Sequence, residues 1–185
     1  MGEQKFQAAA SNASRVNINN LLNDLTLSSN PLEDVEEDEY ILLLTPYLHA
    51  PPPHMASSSE PMDPFEPFGR ELSKYHANLR HVPYIARNGM QEIHEQQMDH
   101  AGGVIVVICE PPPMQGVSSS QRLDLSKHQE RFAGAVGRYL KDSDTPSILL
   151  TIEHDGTKEA KRFDEVLQLD DWDELEDCAD RIYDR

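Results

Sequence analysis

The chain has 185 residues, of which 38% are apolar and 26% charged, and a formal charge of −17; that size and composition suit one ordinary hydrophobic core rather than two. Acids outnumber bases 33 to 16, which excludes DNA and RNA as first partners, because phosphate-backbone affinity comes from clustered Lys and Arg. No apolar run approaches the ~20 residues of a membrane-spanning helix, so no membrane role is expected.

The acidity belongs to the two ends. Glu33 to Glu39 hold six acids in seven positions and residues 164–184 hold ten against Arg181, whereas residues 41–163 hold 15 acids against 12 bases. Residues 1–39, poor in aromatics and rich in Asn, Ser and acids, read as a disordered acidic arm with too little apolar area to offset the entropy of ordering. Within it, INNLLNDLTL (18–27) has the uneven leucine spacing of a nuclear export signal, and equally suits a short amphipathic segment that folds back on the domain. The opening MGEQKFQAAASNAS lacks an apolar signal region, and Phe6 stands where a myristoylation motif needs Ser or Thr. Cys109 and Cys178 form no C-x-x-C pair or regular framework, as in reduced thiols. The expected compartment is therefore the cytoplasm, with shuttling to the nucleus if the leucine segment is an export signal.

From Tyr40 onward one domain, residues 40–185, is expected. YILLLT (40–45), VIVVIC (104–109) and SILLTI (147–152) are unbroken apolar runs, the pattern of parallel strands covered on both faces. LRHVPY (79–84) fits an edge strand, where Pro83 costs no central ladder bond, and EVLQL (165–169) is a fifth candidate. Helices fall between them. Asp63-Pro64-Phe65-Glu66 offers a capping acid, a first-turn proline and an N3 glutamate ahead of the stripe Phe65, Phe68, Leu72 and Tyr75. Asn88 can cap a second helix that carries Met90, Ile93, Met98 and Ala101 and ends at Gly102-Gly103. A third begins between Ser118 and Ser126 with His128, Phe132, Val136 and Leu140 on one face, and Asp170 or Asp171 can cap a last one that buries Trp172, Leu175, Ala179 and Ile182. Strands alternating with helices in this way predict a flavodoxin-like three-layer α/β sandwich with a mainly parallel sheet of four or five strands.

In such sheets ligands bind beyond the carboxyl ends of the strands, which directs attention to the loops Pro46–Met62, Glu110–Ser119 and Glu153–Ala160. Pro111, Pro112 and Pro113 stiffen the second loop and remove three backbone donors. No G-x-G-x-x-G or Walker loop follows the first strand, so no nucleotide cofactor is expected. Cys109, His154 and Asp155 could supply a thiol nucleophile and its base at neighbouring strand ends. Glu110 and three prolines after Cys109 are not the small residues a nucleophile elbow requires, and the alternative is a small hydrophobe closing a buried strand. GVSSS (116–120) lacks the second glycine of G-x-S-x-G and suits a helix cap.

Metal spacing is also missing. In HEQQMDH the second histidine falls at i+6 instead of i+4, on another helical face, and no metal is expected. His49, His54, Glu110, Glu153 and His154 are left as candidates for a binding rim. A carboxylate pair could be drawn from Glu110, Glu153 and Asp155, whose separation the spacing leaves open.

The stretches LLLTP, PFEPFGREL, RHVPY and VIVVICEP, across residues 41–152, resemble the C-terminal α/β sandwich domain of fungal family 3 glycoside hydrolases of the β-N-acetylglucosaminidase type. That resemblance implies an accessory domain without the catalytic barrel. The family's nucleophile and acid/base belong to that barrel, so no catalytic residue carries over. The first expectation is therefore a non-catalytic accessory-type module that binds a carbohydrate or protein partner at the strand-end rim. A small hydrolase or transferase using Cys109, Glu110, His154 and Asp155 is the second, and an acidic adaptor for a basic partner the third.

Overall fold

A computed structural model describes Leu32 and residues 39–48, 63–111, 118–155 and 157–183. The chain divides into two units, residues 1–30 with Arg185 and residues 31–184. All described residues belong to the second. The leucine segment 18–27 and the candidates His49 and His54 lie outside the described residues.

Five strands form one parallel sheet: β1 (Tyr40–Pro46), β2 (Leu79–Tyr84), β3 (Ala101–Cys109), β4 (Ser147–Ile152) and β5 (Glu165–Leu169), in the order β2-β1-β3-β4-β5. This is the flavodoxin-like order of a doubly wound α/β fold, with the direction of winding reversing between β1 and β3. Pro83 lies in the edge strand β2, where its missing N–H leaves no gap in a central ladder.

Helices cover both faces. On one side Ile41, Leu43, Ile105, Val107, Ile148 and Leu150 pack with Phe65, Phe68 and Leu72 around α1 (Glu66–Leu72), and with Trp172, Leu175 and Ile182 around α5 (Cys178–Tyr183). Leu32 is buried in this same core. The alternate residues Leu42, Leu44, Val104, Val106 and Ile108 face the other way, toward Met98 of α2 (Glu92–Met98) and Phe132, Val136 and Leu140 of α3 (Ser119–Leu140). The period of two along every strand thus splits one apolar run between two cores. Phe132 stacks on Tyr84 with ring centroids 3.7 Å apart, and the Tyr84 hydroxyl donates to the Val107 carbonyl at 2.8 Å.

The 22-residue α3 starts where a capping box stops fraying. Ser118 accepts from the Gln121 N–H, and the Gln121 side chain accepts from the Ser118 N–H at 2.8 Å. A short helix α4 (Thr157–Ala160) and the turn after it lie against α3. Gly134 and Gly137 permit that approach: a Cβ at Gly134 would come within 2.6 Å of a Glu159 carboxylate oxygen, and one at Gly137 within 2.6 Å of Arg162 Cβ.

Three helices differ from the sequence expectation. Around α1 the Asp63 carboxylate accepts from the Phe65 N–H, but Phe65 is the N-cap, and the helix ends at Leu72, which leaves Tyr75 outside it and exposed. Asn88 ends a 3-10 turn (Ala86–Asn88) instead of capping a helix, because Gly89 takes φ 67° and breaks the chain there. Gln91 caps α2 in its place, and Ala101, Gly102 and Gly103 belong to β3. The C-terminal segment is a 3-10 turn, Trp172–Glu174, capped by Asp171 and followed by α5, with the expected residues buried.

Candidate functional site

The sheet opens at the point where its winding reverses. Pairing between β1 and β3 ends at Leu44 and Val106. Beyond it β1 keeps to β2, with the Tyr47 N–H donating to the Tyr84 carbonyl at 2.8 Å, and β3 keeps to β4, with the Glu110 N–H donating to the Ile152 carbonyl at 3.0 Å. The Cys109 N–H, left beyond the end of the β1 ladder, donates instead to Oε1 of the buried Gln129 at 2.8 Å.

Above this divergence lies a cavity of about 300 Å³. Pro46, Tyr47 and Leu48 after β1, Ile85, Ala86 and Arg87 after β2, Pro111 after β3, and Gln121, Leu125 and Gln129 along one line of α3 surround it. The spacing of four on α3 aligns the last three. Tyr47 and Ile85 are 57% and 54% exposed, large apolar groups standing at the mouth. Arg87 is the one cation of the lining and carries no ion pair among the described residues. The Gln121 carbonyl is committed to the helix cap and that of Gln129 to Cys109. Such a lining suits an apolar group carried next to an anionic one.

The described candidates, Cys109, Glu110, Glu153, His154 and Asp155, lie at or just past the ends of β3 and β4. Glu110 is exposed just past β3. Cys109 is fully buried on the α1 and α5 face of the sheet, where burial, reinforced by the charges of Glu110 and Glu153, pushes its thiol well above the ordinary range. A nucleophilic cysteine needs the opposite shift. Glu153 is exposed and adopts φ 50°, an uncommon left-handed conformation for a side chain of this kind, and Asp155 is exposed two residues on.

His154 turns to the α3 side. It is 6% exposed, and its Nε2 lies 2.9 Å from Ser126 Oγ and 3.5 Å from a Glu130 carboxylate oxygen. Serine, histidine and an acid have therefore met, but in an unproductive arrangement. In a triad the acid orients one imidazole nitrogen while the other serves the nucleophile. Here both groups address Nε2, Nδ1 is buried without a partner among the described residues, and Ser126 is buried in mid-helix. The group ties the end of β4 to α3. Cys109 and His154 thus pack toward opposite faces of the sheet.

Sequence reading missed Ser126 and Glu130 as well as most of the cavity wall. Leu125 and Gln129 read as ordinary helix positions, and Tyr47, Leu48 and Ile85 as loop residues. Among the described residues no group of three or more His, Cys, Asp or Glu side chains is placed to hold a metal, and no helix is long and apolar enough to cross a membrane.

No protein-family model matches the chain, and no curated protein matches it either. Among solved structures it is similar to a fungal multidomain GH3 β-N-acetylglucosaminidase that contains a GCN5-related glucosamine N-acetyltransferase region, with TM-score 0.55 and 15% identity over 85% of this chain and 15% of that one. The resemblance read from the sequence is met at the level of the fold, and this chain spans about 15% of that enzyme's length. The flavodiiron core Flv1 of Synechocystis sp. PCC6803 aligns with TM-score 0.39 and 10% identity over 80% of this chain and 35% of that one, too distant to bear on the fold.

Proposed function

We propose that residues 40–185 form a non-catalytic accessory-type α/β module that captures an apolar side chain of a protein partner in the crevice between β1 and β3. The observation that carries this reading is the cavity itself. It occupies the position at which open α/β sheets bind their ligands, its walls are mostly apolar, and His154, on the β4 side, is committed to Ser126 and Glu130. Arg87 at the rim favours a segment in which a carboxylate follows the apolar anchor.

A second reading is a carbohydrate ligand, favoured by the exposed ring of Tyr47 and by likeness to a fold found in an enzyme of amino-sugar chemistry. A sugar, however, needs several convergent hydrogen-bonding groups, and two of the amides in this lining are already engaged.

Selection of a displayed peptide library on the full chain tests the reading. Enriched peptides are expected to share an aromatic or aliphatic anchor beside Asp or Glu, and Ala86→Trp, which fills the cavity, should abolish their binding with the melting temperature unchanged. Peptides that bind Ala86→Trp equally well would overturn it. An upward thermal shift with N-acetylglucosamine, lost in Tyr47→Ala, would establish the carbohydrate reading in its place.

A further inference from the structure

Away from the crevice, a second feature runs against the composition of the chain. Lys127, Arg131, Arg138 and Lys141 recur at helical spacing along the exposed face of α3, with Gly134 on the same line. Lys158 and Lys161 stand beside them on α4 and the turn that follows. All six are exposed, and none makes an ion pair or hydrogen bond among the described residues. They are six of only 16 cationic side chains in a chain with 33 acids.

The acids nearest to them are committed elsewhere. Glu130 lies against His154. Glu159 pairs with Arg162 at 3.1 Å and stands over Gly134. Asp164 accepts from the Ser147 N–H and hydroxyl at 2.8 and 2.9 Å. Of the acids lining the strip, Asp144 alone is left without such a partner among the described residues. Two grooves, of about 360 and 650 Å³, follow the strip: the first lies between Lys127, Arg131 and Arg138, and the second between Lys141, Lys158 and Lys161. The contacts of Glu130, Glu159 and Asp164 thus lie with residues other than these six cations, whose charged ends face solvent.

We propose that the strip along α3 and α4 docks an acidic, extended polypeptide segment of a partner protein. The cations from Lys127 to Lys141 span about 21 Å at the helical rise of ~1.5 Å per residue, a distance covered by about six or seven extended residues. Carboxylates suit the strip better than a nucleic-acid backbone. Glu130, Glu159 and Asp144 interrupt its positive field, and the charge of −17 repels a dense polyanion. A flexible peptide can place its acids between these interruptions. The site lies on the solvent face of α3, apart from the residues of that helix that line the crevice, and does not rest on the reading given for the crevice.

Fluorescence anisotropy of a labelled octaglutamate peptide with the full chain tests this directly. Saturable binding is expected at about 20 mM salt and should weaken about tenfold or more by about 300 mM. The triple variant Lys141→Glu, Lys158→Glu, Lys161→Glu and the double variant Arg131→Glu, Arg138→Glu should each weaken it about tenfold or more. Arg70→Glu, on the other side of the sheet, and Leu125→Arg, in the crevice, should leave it unchanged. Lys→Gln versions of the triple variant read the same loss if charge reversal disturbs folding. Absence of saturable binding, equal loss in Arg70→Glu, or tighter binding of a duplex oligonucleotide than of the peptide would overturn the proposal.

Discussion

The carboxyl ends of β1 and β4 belong to one sheet and face the same helix α3, yet they differ in kind. At β4 the chain turns sharply at Glu153, and His154 enters the interior to meet Ser126 and Glu130. At β1 the strand parts from β3, and apolar side chains surround an opening. The end richer in reactive residue types is closed, and the end that reads as bland loop is open. Reactive side chains do not make a site unless the backbone leaves room for a ligand, and here the room comes from the change of winding direction between β1 and β3.

The largest expected effect breaks both regions together. Phe132 anchors α3 by stacking on Tyr84 and meets His94 edge-on at 5.3 Å between ring centroids. Phe132→Ala should cost about 3–5 kcal/mol, as deletion of a buried aromatic generally does, read as a lower urea midpoint with peptide capture lost as well. Full stability in this variant would mean that α3 is held by other contacts.

Next, His154→Ala separates the two ends. It leaves Ser126 Oγ buried without its partner and should cost about 1–3 kcal/mol while capture at the crevice persists in the fraction that remains folded. A variant of unchanged stability that had lost binding would move His154 from a structural to a functional role.

The smallest expected effect concerns Cys109, which lies between the two ends. Its thiol should resist iodoacetamide at neutral pH until the chain unfolds, as peptide mapping would show. Because folding raises its pKa above the ordinary 9.0, the stability linked to this group is complete below pH 9 and declines as pH rises beyond it. Cys109→Ala should flatten that decline in urea midpoints measured between about pH 8.5 and 10.5, the buried tyrosines contributing only toward the upper end. Rapid labelling of the folded chain would revive a catalytic thiol.

Much of the fold was legible in the chain. The unbroken runs at 40–45, 104–109 and 147–152 announced buried parallel strands, since only a sheet covered on both faces removes the need for polar alternation. Pro83 marked an edge, and the structure chooses Ser118 from the serines of GVSSS and Asp171 from the pair Asp170 and Asp171 as caps. Asn88 misled as a cap, because the left-handed φ of the following Gly89 places the helix start beyond it, and sequence does not carry that angle. The resemblance to the glycoside hydrolase domain foresaw the same architecture, but its matching stretches are strands and a helix start, and scaffold positions carry no chemistry.

The candidate site was legible in part. That ligands should meet the strand ends followed from the fold class, and Pro111 of the proline-stiffened loop lines the cavity there. The lining itself was not visible, because Tyr47, Ile85, Arg87 and Leu125 come from separate segments and none is unusual where it stands. Nor could spacing reveal that Cys109 and His154 face opposite ways, which depends on strand parity and on the turn at Glu153.

By itself, the sequence determined where strands and helices lie, because apolar periodicity and capping are local properties of the chain. The tertiary structure alone decided which polar groups are consumed by one another and which remain exposed to solvent. That selection depends on distances between residues far apart in sequence: His154 on Ser126, Glu159 over Gly134, Asp164 on Ser147. What these pairings leave over is an apolar crevice and a basic strip, on a chain whose composition suggested neither.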